Sequence, residues 1–466
     1  MNADYEAFLQ RKLVRAVPTG FEKKPEDLNP MLFEWQKQVV SWALRRGRAA
    51  LFEGCGDGKT PQQLEWAQSV SDYTGQPVLI VAPLAVADQT RREAIKFGFR
   101  PVTVCRGQSH VNPGVNITNY EMLDYFDASA FSGVVLDESS ILKAYTGKTK
   151  RKIVDMFSET TYRLSCTATP SPNDLMELLN QAEFLGVMKS NEALSCWFIA
   201  DQTNSGTYRL KKHAEKDFWR WVSSWAVCME KPSDIGYPDD GYILPPLNEM
   251  TVIVGRDASM DPMAELTETI NMNATSYQKE KRKTLKNRVD KCAEIVNGSD
   301  EQFLVWCYLN EEADELKKVL KDCVEVRGSD KTEKKERSAL DFVHGNIRVL
   351  CSKASIFGYG LNFQHCNNMI FCGMDYSFES YYQAVRRMYR FGQEKEVNVW
   401  RVIGKNEKII LDTINRKKKI KDDMAKSMAE VMKDFQTSAI HGRKFKLSTE
   451  RLTVSFPDWL KSEGAV

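Results

Sequence analysis

The sequence has little net charge, formally +2, and no long apolar run. Its 65 Lys and Arg residues nearly balance its 63 Asp and Glu residues, so a basic surface for nucleic acid would have to be local. No apolar run approaches the roughly 18 residues that a membrane-spanning helix needs. The first residues, MNADYEAFLQRKLVRAV, are charged throughout and lack the apolar core of a signal peptide. We therefore predict a cytoplasmic protein with no membrane partner.

Cysteine is present in an odd number, and no pair has the C-x-x-C spacing of a zinc or redox site. The 11 cysteines are scattered along the chain, and we interpret them as reduced core thiols. The 466 residues are 42% hydrophobic and 27% charged, which is typical of folded globular proteins. At roughly 100–200 residues per domain, this length predicts two to four domains.

Short apolar runs alternate with helical patterns in two blocks, which predicts an α/β fold with parallel sheets built from βαβ units. The first block has strand-like runs at 49–52, 77–82, 115–118, 133–136 and 162–166. The second block has them at 303–307, 324–326, 347–351, 368–372 and 397–402. Between the blocks, residues 218–229 place aromatic and apolar side chains at helical spacing, which favours a buried helix over an aromatic binding surface.

These patterns predict two lobes and a basic tail. The predicted ranges are 1–250 for the first lobe with a helical insertion at about 190–246, 251–280 for the connection, 281–415 for the second lobe, and 416–466 for a basic, helical C-terminal extension. Basic clusters at 279–291 and 416–421 are candidates for phosphate contacts. Each is more often a solvated helix face.

A glycine-rich loop lies between a predicted strand and a predicted helix. Its glycines let successive backbone N–H groups surround phosphate oxygens, and the helix N-terminus adds partial positive charge. In such a loop Lys59 reaches the β- and γ-phosphates of a nucleotide, and the Thr60 hydroxyl binds Mg²⁺. The full pattern has a glycine where this chain has Glu53, and a short match also arises by chance. The predicted nucleotide-binding residues are Gly54, Cys55, Gly56, Asp57, Gly58, Lys59 and Thr60.

Two adjacent carboxylates end the apolar strand at 133–136. In a nucleotide-hydrolysing site Asp137 would hold Mg²⁺ through water, and Glu138 would orient and deprotonate the attacking water. An Asp-Glu pair at a strand end is common in any sheet. Here it lies downstream of the glycine-rich loop in the same block, and ligands of open α/β sheets bind at the carboxyl ends of strands.

Further segments, taken in order, match the motifs of a known family. They are Leu32–Gln36, Val81–Leu84, Thr118–Tyr120, Thr167–Pro170, Phe303–Tyr308, Lys353–Asn362 and Tyr382–Gln393. Together with the two motifs above, they resemble the Swi/Snf-type branch of the superfamily-2 helicases and translocases, most of all its compact bacteriophage-encoded members. The resemblance covers about residues 32–402, most of the chain.

This resemblance implies two RecA-like lobes, each a parallel sheet flanked by helices, with the ATP site in the cleft between them. It implies that Gln36 contacts the adenine and that Gly360 and Asn362 also bind ATP. The residues that it implies for catalysis from the second lobe are Gln383, Arg387 and Arg390. Arginine suits that role because a guanidinium can stabilise the charge that spreads over phosphoryl oxygens.

The resemblance also implies contacts to a nucleic-acid backbone. The implied residues are Pro83, Leu84, Thr118, Asn119, Tyr120, Ser352 and Lys353. Phosphates carry no sequence information, so we predict sequence-independent binding to duplex or branched DNA. We expect a monomer with partners among replication or recombination proteins, in the host cytoplasm if a phage encodes it.

The predicted function is an ATP-dependent DNA translocase or helicase that uses Mg²⁺ and couples lobe closure to movement on DNA. The alternatives are a nucleic-acid-binding scaffold with a degenerate or regulatory ATPase, an RNA-directed helicase, and a P-loop enzyme acting on a small phosphoryl acceptor. The chain departs from the family at Glu53, at Ser139-Ser140, where related enzymes often have Ala-His, and by one additional residue in the 353–362 motif. None of these changes removes a group that hydrolysis needs.

Overall fold

Two parallel sheets, each flanked by helices, form the core of the protein. The computed structural model describes residues 16–83, 86–144, 147–172, 174–200, 208–255, 281–357, 362–419, 421–422 and 440. The sheets have seven and six strands, and every pair of neighbouring strands in them is parallel. They confirm the predicted two-lobed α/β fold.

The first lobe contains the seven-stranded sheet. Its strands are β1 (Arg48–Glu53), β2 (Val78–Ala82), β3 (Thr103–Val104), β4 (Val115–Asn119), β5 (Gly133–Asp137), β6 (Tyr162–Thr167) and β9 (Ala226–Met229). A separate antiparallel pair, β7 (Phe198–Ala200) and β8 (Tyr208–Leu210), precedes β9 in the chain. The spatial order is β3-β4-β2-β5-β6-β1-β9. The strand that leads into the glycine-rich loop, β1, is therefore enclosed between β6 and β9.

Helices cover both faces of this sheet because alternate strand residues point to opposite sides. The helices are α1 (Glu34–Arg46), α2 (Lys59–Thr74), α3 (Ala87–Lys96), α4 (Lys148–Met156), α5 (Glu177–Phe184), α6 (Ser190–Trp197) and α7 (Glu215–Ser223). Val78 and Ile80 of β2 pack in the cluster that contains α1 and α2. Leu79 and Val81 pack with α4, α5 and α7. With both faces covered, the central strand β2 is apolar along its whole length.

The second lobe contains the six-stranded sheet. Its strands are β10 (Leu247–Val254), β11 (Phe303–Cys307), β12 (Cys323–Val326), β13 (Val349–Ser352), β14 (Asn368–Cys372) and β15 (Val397–Gly404). Its helices are α8 (Leu285–Asn297), α9 (Asn310–Val319), α10 (Thr332–Val343), α11 (Ala354–Phe357) and α12 (Phe378–Val385). The spatial order is β10-β15-β14-β11-β13-β12, and Trp306 is a core residue of this lobe.

The structure changes the predicted boundaries between the lobes. The region 190–246 is not only helical, because the buried helix expected at 218–229 ends at Ser223 and the chain continues as β9, which pairs with β1. The boundary at residue 250 falls inside β10, which pairs with β15 along its whole length and so belongs to the second sheet. Most of the predicted connection, residues 256–280, lies outside the described residues.

The C-terminal boundary also differs from the prediction. Residues 408–419 are helical, so the helix runs across the predicted boundary at 415. Ile410 and Ile414 of this helix are fully buried in the core of the second lobe, which ties the helix to that lobe. Apart from 416–419, 421–422 and 440, the predicted extension lies outside the described residues. Within the described part of the chain, no helix is both long and apolar enough to cross a membrane.

Candidate nucleotide-binding site between the lobes

The glycine-rich loop connects the end of β1 to the beginning of α2. Gly56 and Gly58 have φ angles of 104° and 76°, and Gly58 caps the helix that begins at Lys59. A Cβ atom at Gly56 would lie 3.1 Å from the Cβ of Arg390. Glycine is therefore needed at both positions for the backbone angles, and at Gly56 also because a residue of the second lobe packs closely against the loop.

Lys59 is folded back onto its own loop. Its Nζ donates hydrogen bonds to the carbonyl oxygens of Glu53, at 3.0 Å, and Gly54, at 2.8 Å. Burial opposes its charge, but nearby Cys55, Glu138 and other acidic groups raise its pKa overall. Lys59 is thus a cation held in the loop, where it can turn toward phosphate oxygens.

Glu53, the departure from the P-loop pattern, is fully enclosed behind the loop. Its Oε2 accepts a hydrogen bond from Gln62 Nε2 at 2.7 Å, whereas Oε1 is buried and has no hydrogen-bond partner among the described residues. Burial, assisted by the charge of Asp57, raises the pKa of Glu53 to about 8. Burial likewise raises the pKa of Asp57 to about 6, against the effects of Lys59 and Arg386. Glu53 is therefore mostly protonated at neutral pH.

Replacing Glu53 with glutamine should raise the free energy of unfolding at about pH 8 and change it little at about pH 5. Folding raises the pKa of this carboxyl from 4.5 to about 8, so the wild-type protein loses stability as the pH rises through this interval. Each pKa unit corresponds to about 1.4 kcal/mol, which predicts a difference of a few kcal/mol. Denaturant unfolding at the two pH values measures it, with Glu26→Gln, at an exposed glutamate, as the control. Equal pH dependence of Glu53→Gln and wild type would contradict the raised pKa.

The acidic pair lies beside the loop at the end of β5. Asp137 Oδ1 accepts a hydrogen bond from Gln63 Nε2 at 2.8 Å, and burial raises the pKa of Asp137. Glu138 has left-handed backbone angles, φ 54° and ψ 53°. For a residue other than glycine this conformation costs about 1–3 kcal/mol and is concentrated at functional sites.

The carboxylate of Glu138 is held by one residue from each lobe. Thr167 Oγ1 donates to its Oε2 at 3.4 Å, and Gln383 Nε2 of α12 donates to its Oε1 at 3.3 Å. Burial and the neighbouring Asp137 raise the pKa of Glu138 to about 7. A carboxylate with such a pKa can accept a proton from a reacting group near neutral pH.

The second lobe brings arginines to the same cleft. Arg387 Nη2 donates to Gln383 Oε1 at 3.0 Å, so Gln383 joins this arginine to Glu138. Arg390 is packed over Gly56. Burial and the charge of Arg387 lower the pKa of Arg390. Among the described residues, no acceptor lies within hydrogen-bonding distance of its buried Nε.

These side chains enclose a cleft of about 100 Å³. It is lined by Cys55, Gly56, Gly58, Lys59, Thr60, Val86, Gln89, Glu93, Asp137, Glu138, Arg386, Arg387 and Arg390. Ligand pockets usually have volumes of about 300–1,000 Å³, so we expect the lobes to separate when a nucleotide enters. The cleft thus combines a glycine-rich loop and three carboxylates from one lobe, Glu93, Asp137 and Glu138, with three arginines from the other.

Sequence reasoning missed several residues of this site. Gln63 could have been found from its position four residues after Lys59, on the same face of a predicted helix. Arg386 lies within the 382–393 motif, but the resemblance assigned roles there only to Gln383, Arg387 and Arg390. Gln89 and Glu93 of α3 line the cleft because of how α3 packs on the sheet, and no local pattern in the sequence indicates that.

The other residues predicted to bind ATP have different positions. Gln36 Nε2 donates a hydrogen bond to the carbonyl oxygen of Asp57 at 2.8 Å, so this side chain of α1 stabilises the backbone of the glycine-rich loop. Asn362 is exposed, shares hydrogen bonds with Gln364 in its own loop, and is not among the residues that line the cleft. Gly360 lies outside the described residues.

Most residues predicted to contact nucleic acid are engaged within the protein. Thr118, Tyr120 and Ser352 are buried, and their hydroxyls donate to the backbone oxygens of Cys105, Asp137 and Val326, respectively. Asn119 caps the short helix that follows it. Phosphate contacts from these segments would therefore have to come from backbone groups. Leu84 lies outside the described residues, and Pro83 and Lys353 are half-buried.

The residues of the cleft fit ATP and Mg²⁺. The loop glycines and the N-terminus of α2 form a cradle for phosphate oxygens. Arg390 Nε has no hydrogen-bond partner among the residues that the structure describes. This favours an anionic ligand beside it, because a buried guanidinium N–H without an acceptor is costly. Oxygen ligands from Thr60 and Asp137 suit Mg²⁺.

Comparisons with known proteins bear on the resemblance to a helicase family. Residues 284–392 match the helicase conserved C-terminal domain family. The chain is 22% identical over 455 aligned positions to protein p41 of Acyrthosiphon pisum secondary endosymbiont phage 1, and this match covers 84% of the chain and 98% of that protein. It is 28% identical over 188 residues to the DNA excision repair protein ERCC-6-like of Bos taurus, covering 34% of the chain and only 15% of that protein.

A solved structure was also found to be similar. The Sulfolobus solfataricus SWI2/SNF2 ATPase core in complex with dsDNA has a TM-score of 0.42 and 16% identity, with 90% of this chain and 99% of that chain covered. The family match and the relatives confirm the resemblance inferred from the motifs: residues 284–392 are similar to the helicase conserved C-terminal domain, and the chain is similar to a phage protein over most of its length and to a DNA excision repair protein over about a third of it.

Proposed function

We propose that this protein hydrolyses ATP in the cleft between its lobes and uses the cycle of closure and opening to move along DNA. The observation that carries the proposal is the 3.3 Å hydrogen bond from Gln383 to Glu138, which joins the arginine-bearing helix of one lobe to the acidic pair of the other. A site divided between two lobes is complete only when they close, so closure and hydrolysis are coupled.

The residues of the cleft divide the chemistry between them. Loop N–H groups and Lys59 bind the phosphates. Thr60 and Asp137 would hold Mg²⁺, which would supply positive charge against the phosphate oxygens. Glu138 accepts a proton from the water whose oxygen forms the new bond to the γ-phosphorus. As the bond from the γ-phosphorus to the bridging oxygen breaks, Arg387 and Arg390 stabilise the charge on the phosphoryl oxygens.

DNA is the track that we propose. A groove of about 570 Å³ lies at the carboxyl ends of β11, β13 and β14, and Arg282, Asn310 and Lys353 are among the residues that line it. Glu311 and Asp375 also line it, and Glu311 pairs with Arg282 at 2.9 Å. Lys353 and the polar groups are therefore what the groove offers to a phosphate backbone. A relative matched over 34% of the chain is named a DNA repair protein, which favours DNA over RNA.

The test is the rate of ATP hydrolysis with and without nucleic acid. We expect Mg²⁺-dependent turnover that rises when duplex or branched DNA of any sequence is added, with stimulation that weakens as salt is raised, because phosphate contacts are lost to counterions. Duplex RNA and single-stranded DNA are the controls for the track. If no nucleic acid gave turnover, the result would favour a binding scaffold. If RNA alone stimulated hydrolysis, it would favour an RNA-directed helicase. If the rate of hydrolysis were the same with and without every nucleic acid, it would favour a different phosphoryl-transfer enzyme.

A further inference from the structure

Helix α12 reaches the other lobe at two points one helical turn apart. Glu379 and Gln383 are four residues apart and therefore lie on the same face of the helix. Gln383 holds Glu138, as described above. Glu379 Oε1 accepts a hydrogen bond from Ser140 Oγ at 2.5 Å, and its Oε2 accepts one from Lys143 Nζ at 2.5 Å.

The groups that bind Glu379 are fixed to the first lobe. Ser140 and Lys143 lie on a short helical turn, Ser139–Lys143. Two amides of α5 hold the backbone of this turn: Gln181 Nε2 donates to Ser139 O at 2.9 Å, and Asn180 Nδ2 donates to Leu142 O at 2.8 Å. Both amides are fully buried. These bonds hold the turn in place in the first lobe, so a side chain that binds to the turn has a fixed position relative to that lobe.

The contacts of Glu379 matter more for geometry than for overall stability. The side chain of Lys143 is 43% exposed and that of Glu379 is 11% exposed, and exposed ion pairs contribute only about 0–1 kcal/mol. Two contacts one turn apart, however, fix both the distance and the rotation of α12. One turn further along, Arg387 donates to the side-chain oxygen of Gln383, so rotation of the helix would displace both groups.

We infer that Ser140, Lys143 and Glu379 form an inter-lobe clamp that positions Gln383 and Arg387 against Glu138. The clamp deepens the proposed ATPase function and rests on it. It also gives a role to the Ser139-Ser140 departure, because the hydroxyl of Ser140 supplies one of the two bonds to Glu379. These three residues are positioning residues, since they act on the reacting groups through α12.

Charge reversal tests the clamp. Lys143→Glu and Glu379→Lys should each lower kcat by about ten- to a hundredfold, the scale of a misplacement of about 1 Å, while KM for ATP changes much less. The double variant restores an opposite-charge pair and should recover most of kcat. The matched control is Arg92 and Glu336, an inter-lobe ion pair at 3.7 Å that is half-exposed on both sides. Reversal at either of those residues should leave kcat unchanged.

The outcomes separate this inference from the proposed function. If the wild-type protein turns over ATP but single reversals leave kcat unchanged, or the double variant shows no recovery, the clamp is refuted and the ATPase stands. An equal loss in the Arg92 and Glu336 variants would also refute it, because any inter-lobe contact would then suffice.

The radius of gyration from small-angle scattering should rise in each single-reversal variant and return to the wild-type value in the double variant. This measurement tests the clamp without hydrolysis. If a reversal prevents folding, Ser140→Ala and Glu379→Gln carry the same test, with kcat falling less.

Discussion

Arg390→Ala should lower kcat by about 10³-fold or more, the scale expected for an arginine that stabilises phosphoryl transfer from another domain. Affinity for ATP should change only a few-fold. Arg390 comes from the second lobe, packs over Gly56 and lines the cleft beside Lys59. A guanidinium that reaches the phosphates only on closure stabilises the transition state more than bound ATP, so its loss appears mainly in the rate.

The measurement combines steady-state turnover at saturating DNA with a nucleotide-binding titration. Arg390→Lys is the matched variant, because it keeps the positive charge but loses the planar, bidentate group. We expect it to recover only part of the lost rate. If Arg390→Ala lost binding and turnover equally, Arg390 would be a ground-state phosphate ligand, and the proposed dependence on lobe closure would lose its main support.

Glu138→Gln should bind ATP with nearly unchanged affinity and turn it over about 10²–10⁴-fold more slowly, the usual contribution of a positioned acid or base. Glutamine keeps the size of the side chain and can still accept the hydrogen bond from Gln383, so the lobes can close. It cannot accept a proton from water. Burial and Asp137 already raise the pKa of Glu138 to about 7, which suits a base at neutral pH.

Single-turnover hydrolysis measures this loss without interference from product release. Glu183→Gln is the control, because Glu183 binds Lys150 and Ser190 within the first lobe and is not among the residues that line the cleft. Its variant should turn over ATP at the wild-type rate. A Glu138→Gln variant as active as wild type would show that another group accepts the proton.

The strands were predictable where burial determines them locally. The runs at 77–82 and 133–136 became β2 and β5, because strands covered on both faces tend to form near-continuous apolar runs. The loop at 54–60 and the pair Asp137-Glu138 were placed correctly at strand ends, because each directly follows an apolar run that the sequence identifies as a strand. These features depend on a few consecutive residues, which a single sequence displays.

Features that depend on distant partners were not predictable. The strand β10 has no fully buried residue, since its first four residues are half-buried and its last four alternate between exposed and half-buried. Only its pairing with β15, about 150 residues further on, assigns it to the second lobe. Likewise, Glu379 looks like any acidic residue in the first turn of a helix, and its contact with Ser140 joins positions 239 residues apart. Burial of Glu53 behind the loop depends on the packing of α2, which no spacing rule reveals.

The place of β9 at the edge of the first sheet has a consequence for the order in which the protein becomes active during synthesis. Domains generally fold as units as the chain emerges from the ribosome, N-terminal domain first. The first sheet has all its strands once residue 229 has emerged, whereas Gln383 follows about 150 residues later. A nascent chain can therefore hold a folded glycine-rich loop while it still lacks the arginines, so the proposed hydrolysis has to wait until Arg390 of the second lobe has been made.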